Sequence, residues 1–206
     1  SFGFSVDAIG NYLIVGAPRE DGIDDIQESE DDGGAVYIFE LNEVTQLWEE
    51  VKKWKAPSDL LFYNPSLMGY TVALDIEDNG DVYAYAGAPQ DIWNAAGENV
   101  ECGCSDNDFL LGTNGFYVPF GAVYALKRDA GAWPSDENSE IIKSSQSDEK
   151  SWFGFEIDAK NGVLAVSSKK GDVDNGDNLL SNAGYAEVFT KGDTWATTTS
   201  TSLITA

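Results

Sequence analysis

The chain has no histidine and only two cysteines among its 206 residues. Without histidine there is no Ser-His-Asp or Cys-His machinery, no His-ligated zinc or haem, and no side chain that titrates unperturbed near neutral pH. Positive charge is also scarce: 12 Lys and Arg stand against 36 Asp and Glu, a formal charge of −24. Such a surface repels phosphate backbones and anionic lipid, which excludes nucleic-acid binding and electrostatic membrane docking. No apolar run approaches the roughly 20 residues that span a bilayer as a helix. No segment sustains a 3.6-residue hydrophobic period, so little helix is expected. An apolar share of 42% still fits a globular fold. The chain opens on Ser1-Phe2-Gly3, inside a repeat unit, and is expected to be a piece of a longer or processed polypeptide.

What is present is self-similarity. Three segments share an order of submotifs. The first reads Phe2-Gly3-Phe4, then Gly16-Ala17-Pro18, then Gly34-Ala35-Val36-Tyr37. The second reads Met68-Gly69-Tyr70, Gly87-Ala88-Pro89 and Gly121-Ala122-Val123-Tyr124. The third reads Phe153-Gly154-Phe155, Leu164 to Ser168, and Gly184-Tyr185-Ala186-Glu187. Each unit is a series of short runs rich in Val, Ile, Tyr and Phe, bounded by Gly, Pro, Asn and Asp, as strands are. In the first unit the strands are expected at 2–8, 12–17, 34–41 and 47–55. Tyr12-Leu13-Ile14-Val15 is continuously apolar, which suits a strand buried on both faces by stacked sheets. Four antiparallel strands per unit, repeated, is the plan of a β-propeller blade. Gly between two large side chains lets one unit's backbone approach the next, and Pro ends a strand because it lacks a donor. The fold is therefore expected to be all-β, with blade 1 at about 1–58, blade 2 at about 59–150 and blade 3 at about 151–206.

Phe2-Gly3 followed by Gly16-Ala17-Pro18 resembles the FG-GAP repeat, the blade of integrin alpha-like propellers. The second unit keeps Gly87-Ala88-Pro89 behind Met68-Gly69; the third keeps Phe153-Gly154 but has Ser167-Ser168-Lys169 where Gly-Ala-Pro would stand. The pair Gly33-Gly34 with Tyr37 and Trp48 imitates a kelch pattern, which leaves the Phe-Gly and Gly-Ala-Pro motifs unexplained. The resemblance implies a non-enzymatic, extracellular or cell-surface protein for adhesion or assembly through protein–protein contacts. Three blades do not close a ring of the usual 4 to 8. The partners it implies are thus other proteins, copies of the chain, or further blades. The alternatives are a carbohydrate-binding module and an accessory domain of a secreted hydrolase.

The sharpest site candidate is Asp75-Ile76-Glu77-Asp78-Asn79-Gly80-Asp81. Alternating oxygen ligands before a glycine can wrap one calcium ion. Integrin-like repeats carry an Asp-x-Asp-x-Asp-Gly-x-x-Asp loop at this place. Position by position, Asp75, Glu77 and Asn79 would supply oxygens; the last Asp of that pattern falls on Tyr83, and Asp81 would have to substitute. The plain alternative is an acidic hairpin turn, since Asn-Gly favours one. Asp172-Val173-Asp174-Asn175-Gly176-Asp177 is a second acidic loop, and 24–32 is an acidic run expected to be solvated. Cys102-Gly103-Cys104 lies in a long insertion, 90–120, with Trp93, Phe109, Phe116, Tyr117 and Phe120. A structural disulfide is expected, within the chain or between chains; the aromatics suit either a binding surface or a mini-core. The Thr- and Ser-rich stretch from Thr194 to Ser202 suits either O-linked glycans or the last strand of blade 3.

Overall fold

The computed structural model describes residues 1–20, 33–56, 66–91, 120–146, 151–174, 179–195 and 198–205. Three antiparallel four-stranded sheets follow one another along the chain. Sheet 1 is a meander of β1 (Ser5–Ile9), β2 (Tyr12–Ala17), β3 (Ala35–Asn42) and β4 (Leu47–Trp54). Sheet 2 repeats it with β5 (Thr71–Ile76), β6 (Val82–Ala88), β7 (Ala122–Lys127) and β8 (Glu140–Ile142). Sheet 3 orders β9 (Phe153–Lys160), β10 (Val163–Ser168), β13 (Tyr185–Thr190) and β14 (Ser200–Thr205). A short hairpin of β11 (Val173–Asp174) and β12 (Leu179–Leu180) interrupts it between its second and third strands. The expected all-β, blade-like architecture is what the chain adopts. Of the Thr- and Ser-rich stretch, Ser200–Ser202 begin β14, which pairs with β13.

The sheets stack through their first strands, β1 on β5 and β5 on β9. Two cores form between them. In the first, Ile14, Val36, Ile38 and Trp54 of sheet 1 meet Val72, Leu74, Tyr124 and Leu126 of sheet 2. In the second, Ala73, Tyr85, Val123 and Ile142 from the opposite face of sheet 2 meet Leu164, Val166, Phe189 and Trp195. The period of two along each strand divides the side chains between the two cores. The continuous apolar character of β6 follows: every residue from Val82 to Ala88 is buried. In β10 only alternate residues are buried, because among the described residues one face of sheet 3 has no sheet against it.

Polar side chains tie the stack across the cores. Asp7 Oδ2 accepts from Leu74 N at 2.8 Å, and Trp54 Nε1 donates to Ser139 Oγ at 2.9 Å. Arg128 of sheet 2 grips Glu40 of sheet 1 with two bonds of 2.8 and 3.0 Å, the planar fork matching the carboxylate.

Candidate functional site

The glycines that punctuate the repeats sit at the seams. Gly69 and Gly154 have φ of +86° and +85°, a region L side chains rarely enter. A Cβ on Gly69 would stand 2.6 Å from Ala35 O of the preceding sheet. On the facing strand, a Cβ on Gly16 would overlap Gly69 O, and one on Gly87 would overlap Gly154 O. Each seam is then closed by the same bonds. Ser66 Oγ donates to Gly33 O, and Ser151 Oγ to Phe120 O, both at 2.8 Å. Met68 N donates to Gly33 O at 3.2 Å, and Phe153 N to Phe120 O at 3.1 Å.

Phe2, Met68 and Phe153 occupy equivalent places, one residue before the anchor glycine. Met68 and Phe153 are fully buried by the preceding sheet, whereas Phe2 is 59% exposed. Its ring leans edge-on against Tyr37 and Phe39, with centroids 5.1 and 6.4 Å away. Val6 and Ala8 are exposed beside it on the outer face of sheet 1, where Glu20 pairs with Lys53 and Tyr37 and where Val15 is buried. On the outer face of sheet 3, Glu156, Asp158 and Lys160 project from β9 into solvent, together with the exposed Val163 and Ile204.

The residues after the anchor glycines make an aromatic row across all three sheets. Phe4 and Tyr70 are 4.9 Å apart, Tyr70 and Phe155 5.0 Å, and Phe155 and Trp152 6.3 Å. Lys169 lies 4.4 Å over Phe155 and Lys170 4.0 Å over Trp152, as cations on ring faces. Cations lie over rings elsewhere too, Lys191 at 4.1 Å from Tyr83 and Lys53 at 5.3 Å from Tyr37.

The Asp75 loop joins β5 to β6 at the seam with sheet 3. Asp75 is buried, and its two carboxylate oxygens accept from Asn161 N and Gly162 N, each at 2.8 Å. Glu77 pairs with Lys191 at 2.5 Å, and Asp81 with Lys127 at 2.7 Å. Asn79 Oδ1 accepts from Asp81 N at 2.9 Å, while its Nδ2 donates to Asp81 and Glu77. The Lys127 hydrogen bond holds the Asp81 carboxyl below its ordinary value. Burial lowers the Lys191 ammonium, but the bonds to Glu77 and Tyr83 outweigh it and leave the group raised. The four residues thus share one turn, with Glu77 and Asp81 bridged by Asn79 Nδ2 and each paired with a lysine, and Asp75 bound to the turn of sheet 3. Among the described residues, no group of three or more His, Cys, Asp or Glu is arranged to hold a metal ion. A divalent ion at this turn would have to displace Lys127 and Lys191.

Sequence reasoning missed a buried carboxylate. Glu187 is fully buried and accepts from Ser144 Oγ at 2.7 Å and from the Ser145 hydroxyl and amide. It stands where Tyr37 and Tyr124 stand in the other units, and those tyrosines donate to Glu20 and Asp91 at 2.7 and 2.5 Å. The third unit has an acid where the others have a tyrosine, and Gly171 where they have Glu20 and Asp91; the partners of its acid, Ser144 and Ser145, follow β8 of sheet 2, a change that only the alignment of the three units could have signalled.

Asp172 of the second acidic loop accepts from Asn182 N at 2.7 Å. The acidic run, Cys102, Cys104, and Trp93, Phe109, Phe116 and Tyr117 of the insertion lie outside the described residues, as do Asn175, Gly176 and Asp177. Phe120, at the end of the insertion, is buried at the seam.

Glycine-seamed, four-stranded sheets stacked in chain order define a blade-type repeat protein. Residues 1–39, which run from the exposed Phe2 through β3 to Phe39, match the family model described as the FG-GAP repeat. No curated protein matches the chain. Among the described residues, no helix is long and apolar enough to cross a membrane.

Proposed function

We propose that the chain is a non-enzymatic adhesion or assembly protein, extracellular or at the cell surface, that works through protein–protein contacts on its sheet faces. One observation carries this reading: the outer face of sheet 1 presents Phe2, Val6 and Ala8 to solvent, although the equivalent Met68 and Phe153 are fully buried. Exposed apolar area of this kind marks contact surfaces. The high negative charge keeps such a surface soluble and disfavours indiscriminate association. The FG-GAP match supports the same reading. Beads coated with the full chain should adhere to one another or to a cell surface, and a Val6→Lys coating should lose more than half of that adhesion. Beads that stay dispersed and bind no cell would overturn the proposal.

Calcium at Asp75, Glu77, Asn79 and Asp81 belongs to this proposal as a regulator of the seam with sheet 3, in competition with Lys127 and Lys191. A carbohydrate ligand is the second reading. The row of Phe4, Tyr70, Phe155 and Trp152 favours it, since ring faces suit the apolar faces of sugars and Lys169 and Lys170 would meet acidic ones. A glycan array probed with the full chain and with Trp152→Ala separates the two readings.

A further inference from the structure

The third unit departs from the other two just past its second strand. Where β2 and β6 run into Pro18-Arg19 and Pro89-Gln90, β10 runs into Lys169-Lys170. The backbone places are the same: Lys170 N donates to Ser151 O at 3.0 Å, as Gln90 N donates to Ser66 O at 3.2 Å. The residue after that serine has changed as well, from Leu67 to Trp152. Both hold a left-handed backbone, with φ of +55° and +58°, which is strained for a bulky side chain. Burial of Leu67 offsets the strain in sheet 2. Trp152 is only half-buried, and its ring meets Phe155 and Lys170.

The two lysines also differ from the other cations that lie on rings. Lys53, Lys127, Arg128 and Lys191 sit over tyrosines, and each is neutralised by a carboxylate, from Glu20, Asp81, Glu40 and Glu77. Among the described residues, Lys169 and Lys170 have no such partner. Two adjacent, exposed ammonium groups are thus uncompensated in a chain of formal charge −24. They lie on the half-buried rings of Phe155 and Trp152, with Tyr70 of sheet 2 next in the row. A ring covers one side of an ammonium group and leaves its remaining N–H donors to an anion.

Resting on the carbohydrate reading above, we propose that Tyr70, Trp152, Phe155, Lys169 and Lys170 form a binding site for saccharides built of uronic acids. A uronate ring carries both groups that this site complements, a C–H face for the aromatic surface and a carboxylate for the ammonium groups. A neutral sugar leaves the lysines without a counter-charge. An acidic peptide brings the charge with no flat apolar face beside it. The strained Trp152 backbone and the two lysines are one coordinated change, because sheet 2 has Leu67, Pro89 and Gln90 at the same three places.

The test is titration calorimetry of the full chain with tetramers of galacturonic and of mannuronic acid, and with their methyl esters, which keep the sugar rings and lose the charge. At least one acid tetramer should bind, about tenfold or more tighter than its ester. Lys169→Gln with Lys170→Gln should lower that affinity by about tenfold or more, to the level of the ester. Trp152→Leu, which puts the residue of sheet 2 at this place, should weaken acid and ester alike. Should the double lysine variant fail to fold, Lys169→Gln alone serves, with a partial loss expected. Ester bound as tightly as acid, acid binding untouched by the lysine variants, hexaglutamate bound as tightly as the tetramer, or no binding of either acid would overturn the proposal. Neutral glycans captured on an array through such a failure would leave the broader carbohydrate reading standing.

Discussion

Sheet 2 and sheet 1 follow one plan and differ in company. Sheet 2 lies between two neighbours, and β6 is buried along its whole length. In sheet 1, β1 alternates between half-buried and exposed residues. Met68, buried, and Phe2, 59% exposed, are the same position in the two units. In this architecture a residue's energetic weight is set by which sheet precedes it, more than by its own side chain. That is how repeat stacks behave: stability is a sum of unit terms and nearest-neighbour interfaces.

The largest expected effect contrasts Phe153 with Phe2. Phe153→Ala should destabilise the chain by about 4 kcal/mol, since it empties a packed site against Phe189. Phe2→Ala should change stability by less than about 1 kcal/mol, because the ring is largely wet. Chemical denaturation of the two variants reads both, and equal losses would break the comparison. Next come the glycines. Gly87→Ala drives a methyl into Gly154 O and Thr71 Cγ2 and should cost about 3 kcal/mol. Gly3→Ala should cost about 1 kcal/mol, from backbone strain alone.

A smaller effect separates the acid–tyrosine pairs. In sheet 1, Glu20 bonds Lys53 at 2.5 Å and Tyr37 at 2.7 Å in partial contact with water. The Lys53 bond, helped by Tyr37 and opposed by burial, holds Glu20 below its ordinary value of 4.5. A depressed carboxylate stabilises the fold above its unfolded value and loses that contribution as pH falls through its folded value. Lys53→Met should therefore destabilise by less than about 1 kcal/mol at pH 6, with the difference from wild type vanishing once the pH is well below 4.5. In sheet 2, Asp91 and Tyr124 are both fully buried, so Asp91→Asn should cost more than Glu20→Gln. The smallest effect concerns calcium: Lys127→Gln removes the ion pair on Asp81 and should tighten calcium binding, read by titration calorimetry. No calcium heat in either protein would remove the ion from the account.

The strands were legible because their apolar runs and turn residues repeat three times; β2, at Tyr12–Ala17, lies where the continuous apolar run and Pro18 put it. The seam glycines were legible for the same reason. The partners of carboxylates were not. Asp75 reads as a metal ligand in sequence, yet its oxygens meet the turn of sheet 3, which lies 86 and 87 residues further along the chain. Trp195 was not singled out, although it is buried against Tyr85 in the second core. A single Trp beyond the last regular run carries no period to mark it. The departure at Ser167-Ser168-Lys169 was visible as a broken motif, but its meaning needed the rings beneath Lys169 and Lys170.

Residue-resolved hydrogen exchange tests the sheet-between-sheets account most directly. Amides of Val82–Ala88 should exchange slowest, only through global unfolding, while those of Leu47–Trp54 and Ser200–Thr205 open locally and exchange far sooner. Uniform protection across the three sheets, or β1 and β2 outlasting β6, would contradict it.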